Sequence, residues 1–203
     1  MDPATEEQPI IEEQPTSVAA IVPTVTYYSF EGQDDYLLNC VIINRTNYTY
    51  LDIQPKGSDG MLYTSTGSNT KFLDTCSWQG TVMLFNSDDV AAFQAERAGV
   101  NVVTYSLLDN LVPSTEGSHG LQKWFDDNNI TNVDLLNING DVLGQEQAIV
   151  DSIDLSKTSV NVVVFNGSLR DNRLYFNLTY NGPQQMFVSK RNGFVPSVVY
   201  IRF

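Results

Sequence analysis

Histidine occurs once in this chain of 203 residues, cysteine twice, and Lys and Arg together number 11 against 24 acids. Each shortage removes a class of function. A nucleophile–His–acid triad needs an oriented base, and the only histidine is His119, in the Gly/Ser loop EGSHG, where a side chain is ordinarily just solvated. Cys40, Cys76 and His119 show none of the close spacings of zinc ligands, so no metal site is expected. The formal charge of −13 argues against a phosphate-backbone partner, which Lys and Arg clusters would have to neutralise. No stretch approaches the ~20 continuous apolar residues of a membrane helix, and the start lacks a basic segment followed by an apolar one, so neither membrane insertion nor a signal peptide is expected. The patterns GxGxxG, GxxxxGK[ST] and GxSxG are all missing, leaving phosphate-cradle and serine-hydrolase readings without a basis. Adjacent acids occur at Asp34 with Asp35, Asp88 with Asp89, and Asp126 with Asp127. A glycosidase would need two carboxyl groups about 5–10 Å apart, but acids at turns and helix starts already have a structural explanation.

What is present is strand and turn chemistry: ten Tyr, ten Phe, and many Val, Ile, Thr and Asn. The two cysteines leave two readings open. A bond between them would contribute about 3–4 kcal/mol by closing the intervening loop, and two buried free thiols are the alternative. Charge is unevenly placed: residues 1–35 hold only acids, whereas Arg170, Arg173, Lys190, Arg191 and Arg202 face the single acid Asp171 near the C-terminus, where an anionic ligand would find its field.

Along the chain, residues 1–23 repeat EEQP and read as an extended acidic, Pro-containing arm, and residues 24–203 as one β-rich domain. The stretch YLLNCVIINRTNYTYLDIQ, Tyr36 to Gln54, predicts a β-hairpin whose second run buries Leu51 and Ile53 and turns Tyr48, Tyr50 and Asp52 to a wet face. MLYTST and KFLDTCSW continue the meander, and TVMLFN at 81–86 predicts a central strand. At SDDVAAFQAERAGV the period changes: Ser87 is a plausible N-cap, Asp88 and Asp89 occupy the first turn, Val90, Phe93 and Arg97 share a face, and Gly99 closes a helix. NVVTYSLL returns to strand, giving a strand, helix, strand insertion. Residues 109–129 read as loop with a turn or two of helix at GLQKWFDD; NVDLLNI is a strand, NGD a hairpin signal, and Val142 to Ile153 is ambiguous. Four strands, SVNVVVFNG, NRLYFNLTY, QQMFVSK and FVPSVVYIRF, end the chain. The sum is an all-β, mainly antiparallel barrel or sandwich with one or two short helices.

For such a scaffold the expected function is recognition through Tyr, Asn, Ser, Gly and Thr turns. The candidate receptor-binding residues are Arg45 and Tyr48 in the first hairpin turn, Lys123 and Trp124 in the long loop, and Arg170 and Arg173 beside the Asn166 turn. Five Asn-x-Ser/Thr triplets, at Asn44, Asn47, Asn129, Asn166 and Asn177, mark surface turns, Asn177 excepted because it lies in a predicted strand.

The arm EEQPIIEEQP followed by a β domain rich in Tyr, Asn and Thr resembles an astrovirus capsid spike, over about residues 22–203. FEGQDDYLLNCVIINRTNYTYLDI and GSNTKFLDT also resemble the galectin-like head of a rotavirus spike, although SDDVAAFQAERAGV departs from it. The first resemblance implies a homodimeric spike on the virion surface that attaches to a host-cell receptor and meets neutralising antibodies, without enzyme activity or cofactor. A carbohydrate-binding or adhesin module of bacterial or phage origin is the alternative.

Overall fold

The computed structural model describes residues 26–29, 33–38, 48–57, 60–113, 117–139, 145–166, 183–187 and 197–201. Within them lie α1 (Gln33–Tyr36), β1 (Thr49–Ile53), β2 (Gln79–Leu84), α2 (Asp88–Glu96), β3 (Asn101–Thr104), α3 (Gly120–Asp127), β4 (Asn132–Ile138), α4 (Glu146–Asp151), β5 (Ser159–Asn166), β6 (Pro183–Phe187) and β7 (Ser197–Ile201), with 3-10 turns at Lys71–Cys76 and Leu108–Asn110. The strands form one seven-stranded sheet in the order β3-β2-β1-β4-β5-β7-β6. Neighbours among β3, β2, β1, β4 and β5 are all parallel. β7 is antiparallel to both β5 and β6, so it alone is reversed.

This overturns the all-β barrel or sandwich. Parallel neighbours need a crossover of a dozen or more residues, which a hairpin turn cannot supply, and here each crossover carries helix or 3-10 structure. The predicted hairpin from Tyr36 to Gln54 is absent from its described parts: Leu37 and Leu38 continue α1 as helix, while Thr49–Ile53 is a strand whose neighbours come from residues 79–84 and 132–138. KFLDTCSW contains a 3-10 turn rather than a strand, and MLYTST contributes one isolated bridge, Lys56 to Leu62. The rest of the predicted hairpin's first run and its turn (39–47), and NRLYFNLTY, lie outside the described residues.

Burial on both faces explains why the central strands read as nearly continuous apolar runs. On one face Leu51, Ile53, Met83, Leu136 and Ile138 pack beneath Leu121, Trp124 and Phe125 of α3 and Ile149 and Val150 of α4. The opposite face divides in two. Tyr50, Leu135, Val162 and Val164 meet Leu37, Phe72, Leu73 and Trp78, and Val82 and Leu84 meet Phe93 and Val100. The helix predicted from Ser87 is there but shorter, and its cap lies one residue earlier: Asn86 Oδ1 accepts the Asp88 N–H at 3.0 Å, whereas Ser87 makes no side-chain cap.

Candidate functional site at the carboxyl edge of the sheet

In a doubly wound sheet the ligand crevice lies outside the carboxyl ends of the strands, where successive connections leave in opposite directions. Here that switch point is between β1 and β4. β1 is followed by β2 and β3 on one side, and β4 by β5 on the other. The chain ends bordering it are Gln54 after β1, Phe85 and Asn86 after β2, and Asn139 after β4.

Side chains stitch these ends together. Gln54 adopts φ 47°, the left-handed region usually left to Gly, so the chain reverses tightly as it leaves β1. Its N–H bonds Met83 O at 2.8 Å, and its Oε1 accepts the Phe85 N–H at 2.9 Å, which draws the side chain sideways along the sheet edge toward β2. Asn139 spans the other gap. Its N–H bonds Ile53 O at 3.1 Å and its Nδ2 donates to Asp52 Oδ1 at 2.7 Å. Both are buried, at 3% and 1% exposure. Asn86 at the tip of β2 is exposed.

Beneath the crevice runs a polar network buried in the core. Asp52, paired in register with Asn137, is fully buried and accepts from Asn137 Nδ2 at 2.8 Å, Asn139 Nδ2, and Thr70 Oγ1 at 2.6 Å. Asn69 Nδ2 extends the chain to Asn137 Oδ1 at 3.1 Å. Arg97, carried at the C-cap of α2, is 1% exposed and forks onto Asp74, with Nε 3.0 Å from Oδ2 and Nη2 2.7 Å from Oδ1. Its guanidinium also donates to Tyr50 Oη at 2.6 Å and Thr70 Oγ1 at 3.1 Å, and lies 4.0 Å from Asp52. Burial pushes the Asp52 carboxyl above its ordinary pKa, against the pull of Arg97 and its three donors. Burial likewise pushes the Tyr50 hydroxyl far up. For Arg97 burial works to lower the pKa, but the Asp74 hydrogen bond and the surrounding negative charge raise it overall. A buried charge cluster of this kind is tolerated because nearly every donor and acceptor has a partner.

Of the six residues predicted for receptor binding, three fall among the described residues. Arg45, Arg170 and Arg173 lie outside them. Tyr48 is half-buried and stacks on Trp78 with ring centroids 5.3 Å apart. Trp124 is a core residue at 7% exposure, and its neighbour Lys123 points outward to Asp127, one turn on, at 2.8 Å. His119 stands before α3 and lines an open groove of about 410 Å³ with Asp109, Asn110, Lys123 and Asp126. Among the described residues no three His, Cys, Asp or Glu side chains are grouped to hold a metal. Sequence reasoning missed Asp52, Asn137, Asn139 and Gln54. Alternation along β1 sends Tyr50 and Asp52 to one face and looks like a wet side, and only the neighbouring Asn-rich strand end LLNIN hinted that this face is polar and covered.

No family model and no curated protein matches this chain. Solved structures do. M. capricolum TrmK in complex with S-adenosyl-homocysteine is 13% identical over 80% of this chain, with TM-score 0.49, and this chain spans 64% of its length. A TehB-like SAM-dependent methyltransferase from Corynebacterium glutamicum is 10% identical, with 86% of this chain and 89% of that one covered and TM-score 0.46. The 23S rRNA methyltransferase ErmE is 13% identical over 78% of this chain and 63% of its own, at TM-score 0.44.

The astrovirus and rotavirus resemblances fail with the β scaffold they needed: a sheet of parallel strands joined by crossover helices is a Rossmann-like α/β architecture, not an all-β capsid spike. The attachment function falls with them, and so does the adhesin or carbohydrate-binding alternative, which required the same turns on the same scaffold. The expected receptor, antibodies and homodimer, the virion-surface location, the exclusion of nucleic acid, and the expectation of no enzyme activity are withdrawn for the same reason.

An adenosyl group needs a close backbone turn after the first strand and a polar group for the sugar hydroxyls at the tip of the second. The turn is present at Gln54, whose side chain lies along the sheet edge. The tip of β2 offers the exposed Asn86 in place of a carboxylate. These are the two features at this edge that would hold such a group, Asn86 through an amide rather than a charge.

Proposed function

We propose that this domain is an enzyme of the S-adenosylmethionine-dependent methyltransferase kind, with its site over the carboxyl ends of β1, β2 and β4. The observation that carries the reading is the switch point between β1 and β4 in a sheet whose single reversed strand, β7, is inserted between β5 and β6. When bound, the donor supplies a methyl group carried on a positively charged sulfur. The turn at Gln54 would hold the adenosyl end by backbone contact and Asn86 its sugar hydroxyls. Asn139 and Asp52 act below them. By accepting from Asn137 and Asn139 together, Asp52 locks the ends of β1 and β4 at a fixed separation, so the crevice floor is preorganised rather than assembled on binding.

Isothermal titration with S-adenosylhomocysteine tests this. The wild-type protein binds, and Asn86→Leu weakens binding by roughly tenfold, the worth of one or two sugar hydrogen bonds. Asn86→Asp strengthens it about fivefold, because a charge-assisted bond to a hydroxyl is stronger than a neutral one. Absence of binding heat at millimolar ligand with folded protein would refute the reading.

A further inference from the structure

β1 stops at Gln54, and the hydrogen bonds of that residue show how. Its N–H bonds Met83 O at 2.8 Å. In a parallel ladder the next rung would run from Phe85 N–H to the Gln54 carbonyl, since a bonded residue gives its N–H to one partner and accepts from the residue two further on. That carbonyl instead accepts the Lys56 N–H across Pro55 at 2.7 Å. The missing rung is made by the side chain, whose Oε1 accepts the Phe85 N–H at 2.9 Å. On the β4 side the backbone completes the equivalent rung itself, Asn139 N–H to Ile53 O at 3.1 Å.

A side chain standing in for a main-chain carbonyl lets β1 end one residue early while β2 stays tied. The arrangement has a cost. Gln54 sits at φ 47°, a backbone region unfavourable to a residue with a Cβ. Glycine adopts that region freely but has no acceptor to offer. At 3% exposure the Gln54 rung is sheltered from competing water. It ends one peptide short of Asn86, whose Oδ1 accepts the Asp88 N–H at 3.0 Å. The residue assigned to the sugar is thus held on both sides, by Gln54 through Phe85 and by the first turn of α2.

We infer that Gln54 is a positioning residue: its side chain fixes the exit of β2 so that Asn86 meets the sugar hydroxyls without rearrangement, and the left-handed backbone is retained for that purpose. The inference rests on the proposed methyltransferase reading. It assigns the Gln54 side chain a role that runs through Asn86, separate from the backbone contact of its turn.

The test compares the full chain with Q54M, which keeps the turn and the side-chain length but loses the acceptor, and with Q54G, which also relieves the turn. N86L and Q54M/N86L complete a cycle. Hydrogen exchange at the Phe85 amide should quicken about tenfold in Q54M and Q54G, the worth of one hydrogen bond. Both should bind S-adenosylhomocysteine about tenfold more weakly than wild type in isothermal titration. Q54G should nevertheless melt within about 3 °C of wild type, because relief of the turn offsets the lost bond. The double variant should bind no more weakly than N86L, because Gln54 acts through Asn86. Should Q54M not fold, Q54G and Q54G/N86L carry the same comparison. Unchanged exchange at Phe85, a fall in melting temperature with binding within twofold of wild type, or a double variant in which the two losses add overturns the inference and leaves the methyltransferase reading standing. Absence of binding by the wild type overturns both.

Discussion

Replacing Arg97 with Met is the sharpest test of the buried network, because the side chain keeps its volume and loses only its charge and donors. In the native protein the guanidinium makes a bidentate contact to Asp74 at 2.7 and 3.0 Å, donates to Tyr50 Oη at 2.6 Å and to Thr70 Oγ1 at 3.1 Å, and stands 4.0 Å from Asp52. Its partners lose unequally. Asp74 keeps Lys71 at 3.4 Å and a side chain 23% exposed, and Tyr50 keeps its bond to Asp74 at 2.7 Å. Asp52 fares worst: fully buried, it keeps three neutral donors but no cation. Breaking a buried pair by removing one partner costs about 3–5 kcal/mol, a large share of the ~5–15 kcal/mol that holds a domain. For a chain of this size that is a fall in Tm on the order of 10 °C. Urea unfolding of R97M, with D74N and the double variant to complete a cycle, measures it. The expected result is strong non-additivity, since either change removes the same contact. A loss below about 1 kcal/mol, or additive single effects, would refute the claim that Arg97 is the centre of the network.

Three other outcomes follow from the same core. Gly80→Ala should cost at least ~2 kcal/mol, because a Cβ there would stand 2.1 Å from the Tyr50 ring, which Asp74 and Arg97 pin in place; chemical denaturation reads it directly. Trp124→Ala should cost about 3–5 kcal/mol and Lys123→Ala should leave the unfolding midpoint nearly unchanged, separating a core residue from an exposed one that adjoins it in sequence. The raised pKa of Asp52 makes the folded state bind more protons than the unfolded chain between the ordinary value of 3.8 and the folded one. Its contribution is therefore fully present below 3.8 and lost as pH rises through that window. D52N should remove this downward step from the profile of stability against pH, and an unchanged profile would count against it.

The runs TVMLF, NVDLLNI and VNVVVF were legible as strands because buried strands must be apolar whichever way they pair. Residues 88–96 were legible as helix because acids open them and the period changes. Pairing direction was not legible: parallel and antiparallel neighbours use the same side chains, and the deciding feature is the connection. Those connections were hard to read, since Lys71–Cys76 is 3-10, α4 has six residues, and GLQKWFDD is eight residues within a Gly-rich stretch. Asp52 was the most misleading residue. Its alternation with Leu51 and Ile53 is that of a solvent-facing side chain, and only Thr70, Asn137 and Arg97, distant in sequence, supply the substitute for water.

The place of β7 bears on the order in which the sheet is completed. β6 precedes β7 along the chain, yet among the described residues β7 is its only neighbour in the sheet and joins it to β5. Among the described strands β6 has nothing to dock on until residues 197–201 have arrived, so β6 and β7 join the sheet together. Until then the described sheet, β3-β2-β1-β4-β5, would end at an open β5 edge, and a deletion confined to β7 would cost it two strands rather than one.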